Sequence, residues 1–442
     1  MFIEFSVGNY RSFKERVTFS MEAADIASQP AELDERNIFA PRDGLRLLTS
    51  AVVYGANASG KSNFIGALDF MRDFVLTSVQ EREPGKAIDI EPFLLSTTTK
   101  DAPSFFEVVF LLSEIQYRYG FEVTRERITK EWLYRLGSTR EQTLFSRVGD
   151  TFKVNTKQFR EGRGLQERTR SNALFLSVVA QFNGEVAQGI RRWFGLLTII
   201  RGLDPTREDA QFRTNLEKHP YRKAIDVLIQ SLDVNIRAFG FEKRPLTLPS
   251  AEWERFVRDL MQPPLQDNGP LETTHILTAH HIYDESQQES GQVWFDLEKQ
   301  ESDGTRRLFT LASPIIRALV EGLVLVIDEF DARLHPNLAL ELIRMFHHPE
   351  GNERHAQLIF TTHNTNLLSA KLFRRDQVWF VEKSRQGASD LYSLVEYRVD
   401  GKIIRNDASF EKDYVAGRYG AVPFIGDLGA LLGAEHGQEA RP

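Results

Sequence analysis

Apolar residues along the chain follow two periods, and the stretches where each prevails divide it. Up to about residue 155 they come in short strand-like runs: Phe2–Val7, Val17–Ser20 and Leu47–Tyr54, the last of buried type and ending at Gly55. Phe105–Leu112, Gln116–Thr124, Ile128–Leu136 and Gln142–Asp150 follow at short spacing with turn residues between them, which predicts an antiparallel sheet. One helical stretch interrupts them. Lys61–Ser78 carries Phe64, Ile65, Leu68, Met71 and Val75 at three- and four-residue steps.

From Arg160 to Leu260 the helical period takes over, with predicted helices over Asn172–Ala187, Arg191–Ile200, Tyr221–Leu232 and Trp253–Met261. Gln262–Pro270, rich in proline, reads as a loop. Strands return at His275–Tyr283 and Gln292–Lys299. A helix (Gly304–Val320), an apolar strand (Leu323–Asp328), a helix (Asn337–Phe346) and a second apolar strand (Gln357–Thr362) follow. This order predicts an α/β fold in three parts: residues 1–158, an N-terminal lobe with an antiparallel sheet; 159–270, a mostly helical insert; and 271–442, a C-terminal lobe.

Composition narrows the class. The 442 residues include no cysteine, which excludes disulfides, iron–sulfur sites and thiol chemistry, and 41% hydrophobic residues exclude a disordered chain. The longest apolar runs, Gly322–Ile327 and Leu196–Ile200, are far short of the roughly 20 residues that span a bilayer. The N-terminus lacks the basic-then-apolar layout of a signal peptide. The expectation is a cytoplasmic protein with no membrane partner. A net charge of −7 gives little support to a large permanent nucleic-acid surface, although clustered arginines leave nucleic acid open as a partner.

Chemistry concentrates at three places. Gly55-Ala56-Asn57-Ala58-Ser59-Gly60-Lys61-Ser62 matches G-x-x-x-x-G-K-[ST] between an apolar strand and an amphipathic helix. The glycines let backbone N–H groups turn toward phosphates, Lys61 neutralises the β- and γ-phosphates, and Ser62 offers a hydroxyl to Mg²⁺. The helix N-terminus adds its positive end to the same anion. The apolar strand Leu323–Ile327 ends in Asp328 and Glu329, where α/β sheets place their ligands. Asp328 is the candidate metal carboxylate and Glu329 the candidate general base. The second apolar strand leads into His363, a candidate for a hydrogen bond to the γ-phosphate. His335, just before Pro336, reads as structural. His280–His281 and His347–His348 lack partners at ligand spacing, so no metal site built from protein side chains alone is predicted.

These motifs resemble ABC-type ATPases. Gly55–Asn63, Asp328–Glu329, Asp331–Pro336 and Thr362–His363 are similar to the Walker A, Walker B, D-loop and switch histidine of the branch that includes RecF, SMC proteins and the OLD nucleases. Glu301-Ser302-Asp303-Gly304-Thr305 resembles that branch's degenerate signature. The resemblance implies a two-lobed ABC/SMC-like P-loop head with a helical insertion, hydrolysing ATP to ADP and phosphate with Mg²⁺. It implies Lys61, Glu329 and His363 as catalytic residues and Ser62 and Asp328 as metal ligands. It also implies nucleotide contacts from Gly55, Ala56, Asn57, Ala58, Ser59, Gly60, Lys61, Ser62, Asn63, Ser302, Gly304 and Asp331. For Arg11, in the Asn9–Phe13 segment, a nucleotide contact and a plain surface role both stay open.

Such enzymes sandwich nucleotide between one head's Walker A and another's signature. One copy of each here implies a homodimer or higher homo-oligomer. His363–Ser369, Arg375–Glu382 and Gly417–Pro423 are similar to bacterial AAA-family ATPases of abortive-infection and phage-defence operons. The stretch after His363 is short and carries motifs of the ATPase lobe itself, which leaves no room for an effector domain there. The expected function is an ATP-driven regulatory switch in anti-phage defence that controls an effector supplied in trans, such as a nuclease. The alternative is a RecF/SMC-like DNA-repair ATPase that clamps DNA in its ATP-bound dimer. One departure stands out: Arg333 occupies the place where the D-loop usually has serine, and it is a candidate to reach a neighbouring subunit.

Overall fold

Strands that are apolar on both faces need cover on both sides, and here that requirement organises the sheet holding the phosphate loop. The structure is a computed structural model describing residues 1–79, 87–137, 140–202, 219–233, 235–245, 272–369, 371–399, 402–403 and 409–421. The chain forms two units. One comprises Met1–Gly202, Gly322–Phe330 and Ile343–Pro442, the other Leu203–Glu321 and Asp331–Leu342.

The first unit holds two large sheets. β1 (Phe2–Gly8) and β2 (Val17–Ser20) extend a meander of β6 (Ser104–Leu112), β7 (Ile115–Val123), β8 (Ile128–Leu136), β9 (Glu141–Val148) and β10 (Thr151–Val154). All pairs are antiparallel, in the order β10-β9-β8-β7-β6-β1-β2. The second sheet runs β11 (Thr198–Ile200), β15 (Val324–Ile327), β16 (Gln357–Thr361), β5 (Ser50–Tyr54), β17 (Val378–Lys383), β18 (Ser389–Ser393). Its first five strands are parallel, and β18 turns back antiparallel. β5, β15 and β16 are buried at every position, including the polar Ser50, Gln357 and Thr361.

Helix α2 (Lys61–Thr77) presents Phe64, Leu68, Met71 and Phe74 to an apolar cluster that takes in residues of both sheets, among them Phe5, Phe121, Val53 and Ile359. Phe5 meets Phe64 edge-on at 6.0 Å and Phe74 meets Phe121 at 5.4 Å between ring centroids. Burial of each such side chain is worth about 1.5–3 kcal/mol. Buried polar groups register the pieces. Gln357, at the start of β16, accepts from Phe2 N–H at 2.6 Å and donates to the carbonyls of Phe2 (3.0 Å) and Leu48 (3.3 Å). Glu131, wholly buried, accepts from Tyr119 Oη and from the first N–H groups of α3 (Phe175–Gln181), with Arg147 at 3.8 Å.

The second unit contains an antiparallel sheet of β12 (Ala238–Pro245), β13 (Glu272–Tyr283) and β14 (Glu289–Asp296). It also holds α5 (Arg222–Leu232) and α6 (Asp303–Glu321). Phe239 of β12 meets Phe309 of α6 edge-on at 5.1 Å.

Several boundaries differ from the sequence expectation. Leu47–Tyr54 is two strands. β4 (Leu45–Leu48) pairs with β3 (Ile38–Arg42), while Thr49 bends and donates to Asn37 O, redirecting the chain into β5. The helix expected over Asn172–Ala187 breaks at Asn183–Gly184, where Asn183 has φ 64°, and α4 (Glu185–Leu196) starts anew. The helix expected over Arg191–Ile200 stops at Leu196. Thr198-Ile199-Ile200, β-branched throughout, takes the free edge of β15 instead. The strand expected to reach Lys299 ends at Asp296, whose carboxylate accepts from Glu298 N–H and caps a short helix. Part of the stretch expected as an insert, α3 and α4, belongs to the first unit. The readings of Trp253–Met261 and Gln262–Pro270 lie outside the described residues.

Candidate functional site

The C-terminal ends of three adjacent parallel strands carry the candidate groups. β5 runs into the Gly55–Gly60 loop, β15 into Asp328–Glu329 and β16 into Thr362–His363. Their registers, Ile327↔Phe360 and Thr361↔Val53, bring these ends level.

The loop folds as its glycines dictate. A Cβ on Gly55 would lie 2.4 Å from Val381 O and 2.6 Å from Ser59 Oγ. Gly60 has φ 122°, and a Cβ there would sit 2.5 Å from Ser389 Oγ and 2.8 Å from Ser12 Oγ. Two serines therefore brace the loop against the helix. Ser389 Oγ donates to Ser59 O, Ser389 N–H donates to Ser12 O at 2.7 Å, and Asn63 Nδ2 donates to Ser12 Oγ at 2.8 Å. Ser12 lies in the Asn9–Phe13 segment beside Arg11, whereas Ser389 carries no motif signal and only the backbone path puts it here.

Lys61, 5% exposed, donates from Nζ to Gly55 O at 2.8 Å and to Ala56 O at 3.1 Å. Burial pushes its ammonium down to about 8, partly offset by the carboxylates of Asp328 and Glu329. The loop's own carbonyls thus hold this cation. Ser62 is exposed on the first turn of α2.

Asp328 is 6% exposed, and its N–H donates to Ile200 O at 2.9 Å. Thr361 Oγ1 donates to Asp328 Oδ1 at 2.6 Å and accepts from Glu329 N–H at 2.8 Å. Glu329 is half-buried with φ 51°, a left-handed backbone that a non-glycine residue keeps only under constraint. His363 is exposed at the end of β16, one residue past Thr362, whose N–H donates to Val53 O at 3.2 Å.

Gly55 to Asn63, Asp328, Glu329 and His363 are thus gathered at the C-terminal ends of adjacent strands of one sheet. Arg11 sits on the flank of α2: Nη2 pairs with Glu91 at 3.0 Å, and Nη1 lies 3.1 Å from where a Cβ on Gly66 would be. Ser302, Gly304 and Asp331 belong to the second unit. There Ser302 Oγ accepts from Thr305 N–H at 3.1 Å and caps α6, leaving the serine exposed at the helix N-terminus. A Cβ on Gly304 would come 3.0 Å from Arg333 O, and Arg333 pairs with Asp303 at 3.6 Å.

A glycine-braced loop opening a helix beside an acidic strand end defines an α/β P-loop protein. Residues 50–369 match the family described as "AAA domain, putative AbiEii toxin, Type IV TA system", and the chain belongs to that family. Among solved structures it is similar to the SMC head domain from Thermotoga maritima, with 15% identity over 89% of this chain and 98% of that one and a TM-score of 0.37. It is also similar to an SMC head bound to the C-terminal winged-helix domain of ScpA (13% identity, 89% and 97% covered, TM-score 0.44). A third is an SMC head with coiled coil and joint from Pyrococcus yayanosii (12% identity, 89% and 96% covered, TM-score 0.39). No curated protein matches the chain. No helix among the described residues is long and apolar enough to cross a membrane.

Proposed function

We propose that this protein is an ATP-hydrolysing regulatory switch of a bacterial anti-phage defence system. It dimerises through shared ATP sites and controls a protein effector, such as a nuclease, supplied in trans. The observation that carries the reading is the level alignment of the Gly55–Ser62 loop, Asp328–Glu329 and His363 at the C-terminal ends of three adjacent strands. Membership of an AAA family described by an abortive-infection toxin supports the defence setting.

ATP fits the loop by its chemistry. Backbone N–H groups of Gly55–Lys61 receive the phosphates at the positive end of α2. Lys61 exchanges the carbonyls of Gly55 and Ala56 for phosphate oxygens. Ser62, exposed on the first turn, and Asp328 are the residues that would hold Mg²⁺, which supplies charge neutralisation at the β- and γ-oxygens. Glu329 takes the proton of the attacking water, and His363 donates a hydrogen bond to the γ-phosphate. Ser302 and Gly304 of one copy meet the γ-phosphate held by Lys61 of another. Loss of that phosphate weakens the contact and frees the heads, a switch driven by differential contacts in two states.

The test is the Glu329→Gln protein, purified with its native operon and saturated with ATP. Dimers by light scattering together with a stoichiometric protein partner support the switch. A protein that stays monomeric removes the shared-site model. Salt-sensitive nucleic acid in place of a protein partner makes it a DNA clamp.

A further inference from the structure

One side chain outside every motif touches both members of the acidic pair. Thr361, the last residue of β16, is fully buried. Its hydroxyl donates to Asp328 Oδ1 at 2.6 Å and accepts from Glu329 N–H at 2.8 Å, while its carbonyl accepts from Phe330 N–H at 3.0 Å. Three consecutive residues beyond β15 are thus fixed by one residue of the neighbouring strand.

We propose that Thr361 is a positioning residue that sets the carboxylate of Asp328 and the backbone of Glu329 together. This rests on the reading of Asp328 as the metal carboxylate and Glu329 as the base. A hydroxyl has one proton and two lone pairs, so it can give to the carboxylate while receiving from the amide. The donation fixes Oδ1 and so sets the orientation in which the carboxylate would meet a cation. The acceptance secures Glu329 at φ 51°, a strained backbone that persists only where its surroundings hold it. Rotation of the Thr361 hydroxyl would disturb both residues at once, so cation seating and base placement are tied to one χ1. A threonine suits this because its branched Cβ restricts that angle. Valine has the same shape and lacks the hydroxyl, so it separates packing from hydrogen bonding.

The experiment compares Thr361→Val and Thr361→Ser in the full chain. In nucleotide-free protein, hydrogen exchange at the Glu329 amide is expected to quicken at least about tenfold in the valine variant and to stay near wild type in the serine variant, since only serine keeps an acceptor there. In ATP-loaded protein, Mn²⁺ affinity by electron paramagnetic resonance is expected to fall about 10–100-fold with valine, the usual cost of losing a group that orients a metal ligand. Turnover should fall with it, while ATP affinity without metal stays within about twofold. Unchanged exchange and Mn²⁺ affinity in a folded valine variant would overturn the proposal. So would a serine variant that behaves like valine, because a retained hydroxyl would then fail to preserve the effect. If wild-type protein neither turns over ATP nor binds Mn²⁺ with it, the functional reading falls, and the exchange comparison still decides whether Thr361 holds Glu329.

Discussion

Lys61 gives the sharpest prediction, because its charge in the free protein is poised. Burial lowers its ammonium to about 8 from 10.5, against the pull of Asp328 and Glu329. Phosphate oxygens favour the charged form, so nucleotide binding must raise this pKa and take up a proton above pH 8. The sign follows directly: affinity is full below pH 8 and weakens as pH rises through it, until the pKa of the bound state is reached. About nine-tenths of Lys61 is charged at pH 7 and about one-tenth at pH 9, so apparent affinity should fall about tenfold, or about 1.4 kcal/mol. Calorimetry of ATP binding in buffers of different ionisation enthalpy measures both quantities. Proton uptake should be about half a proton per nucleotide at pH 8 and approach one at pH 9. Lys61→Arg, charged throughout this range, should show neither trend. Constant affinity between pH 7 and 9, without proton uptake, would refute the picture of a half-neutralised lysine held by its own loop.

Two further perturbations test the framework around the site. Glu131→Ala leaves Arg147 buried and strips the first N–H groups of α3 of their acceptor. It should cost about 3–5 kcal/mol in denaturant unfolding, and a loss below about 1 kcal/mol would contradict the burial of this pair. Ser389→Ala removes the donor to Ser59 O beside Gly60. Nucleotide affinity should weaken several-fold with the loss of about 1 kcal/mol, read by titration with a fluorescent ATP analogue, while stability changes little.

What could be read from the sequence was what is contiguous in it. The loop from Gly55 to Ser62 and the runs into Asp328 and His363 are local patterns whose chemistry and burial point the same way. Sheet order was not legible, because β5 lies between strands drawn from residues 357–361 and 378–383 and no local period records that pairing. The edge place of Thr198–Ile200 was hidden for the same reason: the apolar spacing before it continues a helix, and only the vacant side of β15 makes it a strand. Thr361 and Ser389 read as ordinary strand residues, and their roles come from neighbours far away in sequence. Glu131 and Arg147 look like the solvent side of alternating strands. Their burial follows from α3 covering that sheet, which the strand pattern does not announce.

The position of β5 also bears on how the protein is made. Its five residues, none with a solvent face, are translated early, and the strands that flank it on either side come from Gln357–Thr361 and Val378–Lys383. At about 5–20 residues per second, the ribosome needs roughly 15–65 s to travel from Tyr54 to Lys383. Until Gln357–Thr361 is made, the nascent chain holds a complete phosphate-loop sequence on an apolar strand with neither flanking strand present, a segment for chaperones to shield. A chain released before Val378 lacks the strand that pairs with the second edge of β5 and cannot assemble this sheet.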